Sequence, residues 1–177
     1  MTISLAIDTA TSRTIVAMVD DGKVLFESFH EGAMDHGKAI TELVVKALAV
    51  CPKPDQVVVG MGPGPFTGLR VGITFANTFA LARNIPVIGV CSLDAIVIDK
   101  AEYTVAIDAR RKEIYWASYK SGQRISGPAV NKPAEVESFI LDQYPHMKKL
   151  VELSKTQNIS EPMYLRRPDA VPTAERR

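Results

Sequence analysis

The chain has 177 residues, of which 46% are hydrophobic and 23% charged, and its formal net charge is +1. This composition suits a globular protein with one medium domain or two small lobes. The charge balance excludes a global basic field of the kind that binds nucleic acid. No apolar run approaches the roughly 20 residues of a spanning helix, and the N-terminus lacks a signal-peptide pattern, so we expect a cytoplasmic protein without membrane contact.

The first hundred residues combine short apolar runs with two stretches of helical periodicity. Asp20-Asp21-Gly22 is typical of a hairpin turn, and Ser92 is in place to cap a short helix that extends to Ile98. The predicted strands cover 3–8, 14–19, 23–29, 56–61 and 87–90, and the predicted helices cover 38–49 and 67–83.

After Asp99 the pattern begins again. Strands are predicted over 103–107, 113–119 and 124–130, and Pro133 opens a predicted helix to about Gln143. Between 144 and 161 there is room for one short element, so the second unit is cut short. The chain therefore reads as a duplicated βββαβα unit. We predict an N-terminal lobe over 1–99, a reduced C-terminal lobe over 100–168 and a disordered tail over 169–177.

Duplicated units of this kind, with a carboxylate at the end of each first strand, resemble the α/β architecture of actin, Hsp70 and the sugar kinases. Each unit is a ribonuclease-H-like sheet, and the resemblance implies a nucleotide between the lobes. Active members carry Asp-x-Gly in the first hairpin, where glycine lets backbone amides approach phosphate. Here Ala10 and Arg110 occupy the glycine places after Asp8 and Asp108. This favours a chain that does not hydrolyse ATP by itself.

Two interpretations of Asp8 and Asp108 stay open: they cap their own turns, or they are the remains of a metal site. Arg110 likewise fits a local ion-paired turn or an anion clamp that faces a partner. A nucleotide or another anion could also bind at a junction between subunits. The candidate residues for such a site are Asp8, Thr9, Thr67, Gly68, Asp108 and Arg110.

The most specific stretch is Gly-Pro-Gly-Pro-Phe-Thr-Gly-Leu-Arg-Val-Gly over 62–72, in which Thr67 is in place to cap the following helix. This run resembles the signature loop of the TsaB (YeaZ) family, in which Pro65 is more usually serine. The opening Leu5–Thr11, the segment from Ala106 to Ala117 and the near-terminal Glu161–Arg166 resemble that family in the same order. The family usually has several tens of residues more near 145–160.

The resemblance implies an accessory subunit without catalytic residues of its own. Such a subunit pairs with a metal-containing TsaD-like transferase for N6-threonylcarbamoylation of adenosine 37 in tRNA, and a TsaE-like ATPase joins the pair. Contact with tRNA would be indirect, and no cofactor is expected in isolation, although ATP or ADP with magnesium fits the subunit junction. The alternatives are an active actin-like ATPase or small-molecule kinase, and a glycoprotease-type metallopeptidase. His30, His36 and His146 have no metal-ligand spacing, and Cys51 and Cys91 form no CxxC pair.

The two predicted helices of the first lobe are apolar on more than one face, which favours partner binding. Small residues recur every fourth position in the second helix and would let another backbone come close. The same faces would serve a homodimer or a heterodimer. The alternative is that the second lobe or the C-terminal segment covers them. The predicted partner-binding residues are Ile40, Leu43, Val44, Ala47, Gly68, Gly72, Ala76 and Ala80.

Overall fold

The computed structural model describes residues 2–166 of the chain, so the predicted tail at 169–177 lies outside the described residues. Two β-sheets and three α-helices make up the described part. The strands are β1 Ile3–Asp8, β2 Arg13–Asp20, β3 Lys23–Glu31, β4 Gln56–Gly60, β5 Val87–Val90, β6 Glu102–Asp108, β7 Ile114–Lys120 and β8 Gln123–Asn131. The helices are α1 His36–Val50, α2 Phe66–Arg83 and α3 Met147–Leu153.

The first sheet has the strand order β3-β2-β1-β4-β5. The first three strands form the predicted antiparallel meander, and β4 and β5 run parallel to β1. The meander follows from the Asp-Asp-Gly turn, in which Asp21 and Gly22 both take positive φ. The parallel strands require crossovers, which α1 and α2 supply.

Helices cover both faces of the first sheet. Leu5 and Ile7 of β1 point to one face, where they join a core with α1 and α2, while Ala6 points to the other face and packs with α3. Both faces are buried, which is why β1 reads as a nearly continuous apolar run. Helix α3 lies within the range 100–168, yet its Met147 and Leu150 belong to the core of the first sheet.

The second sheet has the order β6-β7-β8 and is antiparallel. One of its faces packs on the segment after β5, with Cys91, Leu93 and Ile96 in the shared core. The Asp8-bearing and Asp108-bearing strands thus begin two meanders of the same construction. The duplicated, shortened architecture expected from the sequence is confirmed.

The predicted helix from Pro133 to Gln143 is wrong. Only a single 3-10 turn forms at Pro133–Glu135, and Ile140 then pairs with β6 in a parallel bridge. Ile140 donates its N–H to the Thr104 carbonyl at 2.9 Å and accepts the Ala106 N–H at 2.9 Å, so strand pairing satisfies its backbone. Ser138 and Asp142 take positive φ on either side, which no α-helix allows. The second unit has therefore lost the counterpart of α1.

The predicted helix from Ser92 to Ile98 is also wrong, since only a 3-10 turn forms at Leu93–Ala95. The Ser92 side chain does not cap this turn and instead bonds to Asp8. In the described part of the chain, no helix is both long and apolar enough to cross a membrane.

Candidate functional site

Asp8 ends β1 and is fully buried. Its Oδ1 accepts the Ala10 N–H at 2.9 Å, and its Oδ2 accepts the Ser92 hydroxyl at 2.6 Å. Burial raises the pKa of Asp8 to about 6, although the hydrogen bonds from Ser92 and Ala10 oppose this rise. A Cβ at Gly60 would overlap Asp8 Oδ2, so the carboxylate is enclosed. Both oxygens serve the fold, and no space is left for a metal–phosphate complex.

Ser92 connects Asp8 to the loop that precedes α2. Its Oγ accepts the Gly62 N–H at 3.3 Å, and its own N–H donates to the Gly62 carbonyl at 2.8 Å. Asp8 therefore ties together the β1–β2 turn, the loop after β4 and the turn after β5. Sequence reasoning assigned Ser92 to a helix cap and missed its contact with Asp8, because nothing in a separation of 84 residues indicates that the two side chains meet.

Thr9 and Gly68 fix the start of α2 to the same turn. The Thr9 hydroxyl donates to the Gly68 carbonyl at 2.7 Å, and a Cβ at Gly68 would lie 2.7 Å from the Thr9 carbonyl oxygen. Thr9 and Gly68 are buried, so neither is open to a ligand. Thr67 lies in the first turn of α2, is exposed and makes no capping bond, because the helix already begins at Phe66. The expectation that Thr67 caps α2 is wrong.

Asp108 lies in a different environment from Asp8. Its side chain is 65% exposed. It accepts the Arg110 N–H at 2.8 Å and pairs with the Arg110 guanidinium at 3.6 Å. The interpretation that both aspartates bond to their own turn is confirmed. Glu113, which follows the same turn, forms an ion pair with Arg166. Arg166 also donates to the Ala109 carbonyl at 3.2 Å.

A cleft of about 200 Å³ lies between the two sheets and is lined by Asp108, Arg110, Thr11 and Tyr144, among others. Ligand pockets are usually about 300–1,000 Å³. Tyr144 lines the cleft, and the Arg13 guanidinium lies 3.6 Å from the centre of its ring.

The cleft therefore brings together only part of the predicted anion set. Asp108 and Arg110 line the cleft, whereas Asp8, Thr9 and Gly68 are enclosed in the fold and Thr67 lies on another surface. These residues do not fit a nucleotide phosphate site within the chain. Among residues 2–166, no group of three or more His, Cys, Asp or Glu side chains could hold a metal ion.

The predicted partner-binding residues all lie in the chain's own core. A Cβ at Gly72 would overlap the Thr9 hydroxyl, so the stripe of small residues lets α2 approach its own sheet rather than another chain. The expectation that this stripe is free for a partner is wrong for that reason. The buried residues are Ile40, Leu43, Val44, Ala47, Gly68, Gly72, Ala76 and Ala80.

An apolar groove of about 560 Å³ lies beside these residues, on the outer side of α1 and α2. Ile40 contributes its edge to the groove, and Phe66, Val71, Thr74 and Phe75 line the α2 side. Helix α3 cannot cover the groove, since it packs on the opposite face of the sheet. The groove is open over the described residues.

Arg70 and Tyr164 extend the rim of the groove, and sequence reasoning missed both as site residues. The guanidinium of Arg70 lies 5.2 Å from the centre of the Phe66 ring, and the centre of the Tyr164 ring lies 4.9 Å from that of Phe66. Tyr164 belongs to the near-terminal segment Glu161–Arg166 that resembles the TsaB family, but no local pattern in the sequence indicates its contact with Phe66.

A model of the family described as TsaD, tRNA N6-adenosine threonylcarbamoyltransferase, matches residues 30–170. An uncharacterized protein of Mycobacterium leprae is 47% identical over 77% of this chain and 41% of its own length. TsaB of Escherichia coli, named as a tRNA threonylcarbamoyladenosine biosynthesis protein, is 36% identical over 66% of this chain and 54% of its own length. The chain thus spans about half the length of these relatives.

The structure is also similar to the solved structure of YeaZ from Pseudomonas aeruginosa. The TM-score is 0.74 at 24% identity, over 88% of this chain and 91% of that one. This likeness supports the actin-like fold. The TsaD model covers most of the sequence, and the TsaB relatives of Escherichia coli and Bacillus subtilis match about two thirds of it at 36% and 32% identity. The chain therefore belongs to the family of the TsaD model and, within it, to the TsaB (YeaZ) family.

Proposed function

We propose that the chain is a non-catalytic accessory subunit in the synthesis of threonylcarbamoyladenosine in tRNA, and that it pairs with a TsaD-like catalytic subunit through the α1–α2 groove. The TsaB relatives of Escherichia coli and Bacillus subtilis are named as tRNA threonylcarbamoyladenosine biosynthesis proteins, which supports this pathway. The open apolar groove of about 560 Å³ is the observation that supports pairing. Apolar surface of this kind on a folded domain marks an interaction site.

The absence of independent catalysis is supported by the chemistry around Asp8. Its two oxygens accept hydrogen bonds from Ala10 and Ser92, and Gly60 closes the third side. The cleft beside Asp108 offers one arginine, Arg110, which already pairs with that aspartate. We therefore propose that the isolated chain binds no nucleotide. A nucleotide with magnesium, a TsaE-like ATPase and tRNA would come into contact only through the assembled complex.

Pairing is tested by mixing the purified chain with the TsaD-like protein of the same genome. We expect a complex in size-exclusion chromatography, and tRNA modification that depends on both chains. Thr74→Glu should abolish the complex, because Thr74 lines the groove and a longer, charged side chain there would obstruct an apolar partner surface and would lose its hydration on binding.

Asn77→Glu is the matched control for this experiment. Asn77 is exposed on the same helix but does not line the groove, so the same side chain there should leave pairing unchanged. Absence of a complex with the wild-type chain would refute the accessory role. Magnesium-dependent ATP binding by the isolated chain would instead support an actin-like ATPase or kinase, and peptide cleavage would support the metallopeptidase.

A further inference from the structure

His36 is the first residue of α1 and the only buried histidine among residues 2–166. Its Nδ1 lies 2.8 Å from the Oγ1 of Thr14, which is fully buried on β2. On the side of α2, a Cβ at Gly68 would lie 3.1 Å from His36 Nε2, so the imidazole ring packs directly against the backbone of that helix. One side chain therefore connects β2 with the starts of both helices.

The starts of α1 and α2 also form one end of the apolar groove. Gly37 and Ile40 line it from α1, and Phe66 and Thr67 line it from α2. Each of these residues lies close to His36 or Gly68 along its own helix. A shift of α1 relative to α2 at His36 would therefore change the shape of the groove.

The surroundings of His36 disfavour a proton on its ring. The N-terminal ends of α1 and α2 both carry partial positive charge, which repels an imidazolium. Burial lowers the pKa of His36 below its usual value of 6.5, and His30 of β3 lowers it further, whereas Asp35 opposes the shift. His30 and Asp35 lie 3.9 Å apart, so a protonated His30 pairs with that carboxylate.

The other charged groups near this junction are engaged elsewhere. Arg70, at the start of α2, lies over the Phe66 ring, and Arg13 of β2 pairs with Glu31 of β3. Asp8 is enclosed in the neighbouring turn, and its pKa is raised to about 6. Its titration stabilises the fold on acidification, so it cannot cause a loss of structure at low pH.

We propose that His36, Thr14 and Gly68 form a pH-sensitive latch, in which the neutral imidazole holds the starts of α1 and α2 on β2 and protonation releases them, so that the groove loses its shape and its partner. This inference rests on the proposed function and adds its regulation. Because native His36 binds a proton less readily than unfolded His36, the stability that the latch supplies is present above pH 6.5 and is lost as the pH falls below it.

Titration calorimetry of the full chain with the TsaD-like subunit, between about pH 8 and about pH 5.5, tests the latch. His36→Asn keeps a polar group opposite Thr14 but does not titrate. The affinity of wild type, divided by that of His36→Asn, should therefore fall by about tenfold over this range, and by at most about tenfold per pH unit for one proton. The ratio cancels groups of the partner that titrate in the same range.

His146→Asn is the matched control. It makes the same change at an exposed histidine just before α3, which packs on the opposite face of the first sheet. Its affinity should follow that of wild type at each pH. Circular dichroism at about pH 8 checks that both variants are folded.

The isolated wild-type chain supplies a second test that needs neither variant nor partner. Nuclear magnetic resonance should show that the His36 ring titrates below 6.5. Its protonation should lower the protection of the Ala39 and Ile40 amides against hydrogen exchange, but not that of amides in β7. Titration of His36 at 6.5 or above, or protonation without this loss of protection, would overturn the latch.

The outcomes separate this inference from the proposed function. Absence of a complex at every pH would refute the accessory role and with it the regulation, whereas the resonance measurement would still decide whether His36 holds the helix starts. If a complex forms but the affinities of wild type and His36→Asn change in parallel with pH, the chain pairs and the latch does not control pairing, so the inference is wrong.

Discussion

The first three strands of each lobe are built alike, but the carboxylates that end β1 and β6 lie in opposite environments. Asp8 is fully buried, whereas the Asp108 side chain is 65% exposed. Both accept the N–H of the residue two positions on, so the local turn is the same. The difference comes from what surrounds the turn: β4, Ser92 and the loop before α2 enclose Asp8, and the second lobe lacks their counterparts. Environment, and not the local motif, decides what each aspartate does.

The two sheets differ in the same way. Helices cover both faces of the first sheet, and β1 accordingly has Leu5, Ala6 and Ile7 in succession. The second sheet packs one face on the segment after β5, and β7 alternates, with Tyr115 and Ala117 in that core and Trp116 only half-buried on the other face. Alternation in a strand is typical of a sheet with one covered face. The loss of helices from the second unit is therefore visible in β7 itself.

The enclosure of Asp8 is tested most strongly at Gly60. Gly60→Ala would place a methyl group onto Asp8 Oδ2 and within 2.5 Å of Ser92 Oγ, so the buried hydrogen bond between them must break. Overpacking and the lost charged hydrogen bond together should lower the free energy of unfolding by about 4 kcal/mol. Urea denaturation measures this change.

Gly37→Ala is the control for the glycine substitution. A Cβ at Gly37 meets no atom within 4 Å, and alanine favours a helix more than glycine does, so the variant should be as stable as wild type or more stable by up to about 1 kcal/mol. Equal stability of the Gly60→Ala variant and wild type would show that Asp8 is free to move and that the enclosure is not tight.

The pH dependence of stability sharpens the contrast between the aspartates. The native Asp8 carboxyl keeps its proton up to a pKa of about 6, whereas the unfolded chain loses it near 3.8. The native state binds more protons between these values, so this contribution to stability is present below pH 3.8 and is lost as the pH rises through 6. Asp8→Asn removes this pH dependence, because asparagine does not titrate. As the pH rises from about 3.8 to about 6, the free energy of unfolding of the variant should increase relative to that of wild type by up to about 3 kcal/mol.

Asp108→Asn is the matched control, since it makes the same change at the equivalent but exposed strand end. Its free energy of unfolding, measured in urea over the same pH range, should follow that of wild type to within about 0.5 kcal/mol. A parallel pH profile for Asp8→Asn and wild type would mean that burial does not disfavour the Asp8 carboxylate.

Sequence reasoning located the regular elements of the first lobe and the strands of the second, because turn residues and apolar periodicity are local signals. It failed at positions where contacts between residues far apart in the sequence determine the local structure. Ser92 bonds to Asp8 across the fold instead of capping a helix, and Ile140 pairs with β6 instead of continuing a helix from Pro133. Periodicity showed that α2 has two apolar faces but not which one the sheet would cover, so the small residues were assigned to the partner instead of the core.

The outer face of the second sheet gives the smallest expected effect. On that face Trp116 Nε1–H donates to Asn131 Oδ1 at 2.9 Å, and the Thr104 and Ser118 hydroxyls share a hydrogen bond at 2.7 Å. Side-chain hydrogen bonds link the strands there, where helices pack in the first lobe. Trp116→Phe should therefore cost only about 1 kcal/mol, the usual net value of one hydrogen bond.

A double-mutant cycle with Asn131→Ala isolates that bond. We expect a coupling energy of about 1 kcal/mol between Trp116 and Asn131, because the two side chains are direct partners on a half-buried face. A coupling near zero would mean that the outer face is stabilised by packing of the indole ring and not by the bond. In that case apolar burial would stabilise the second sheet as it does the first. The two lobes would then differ only in how much apolar surface they bury.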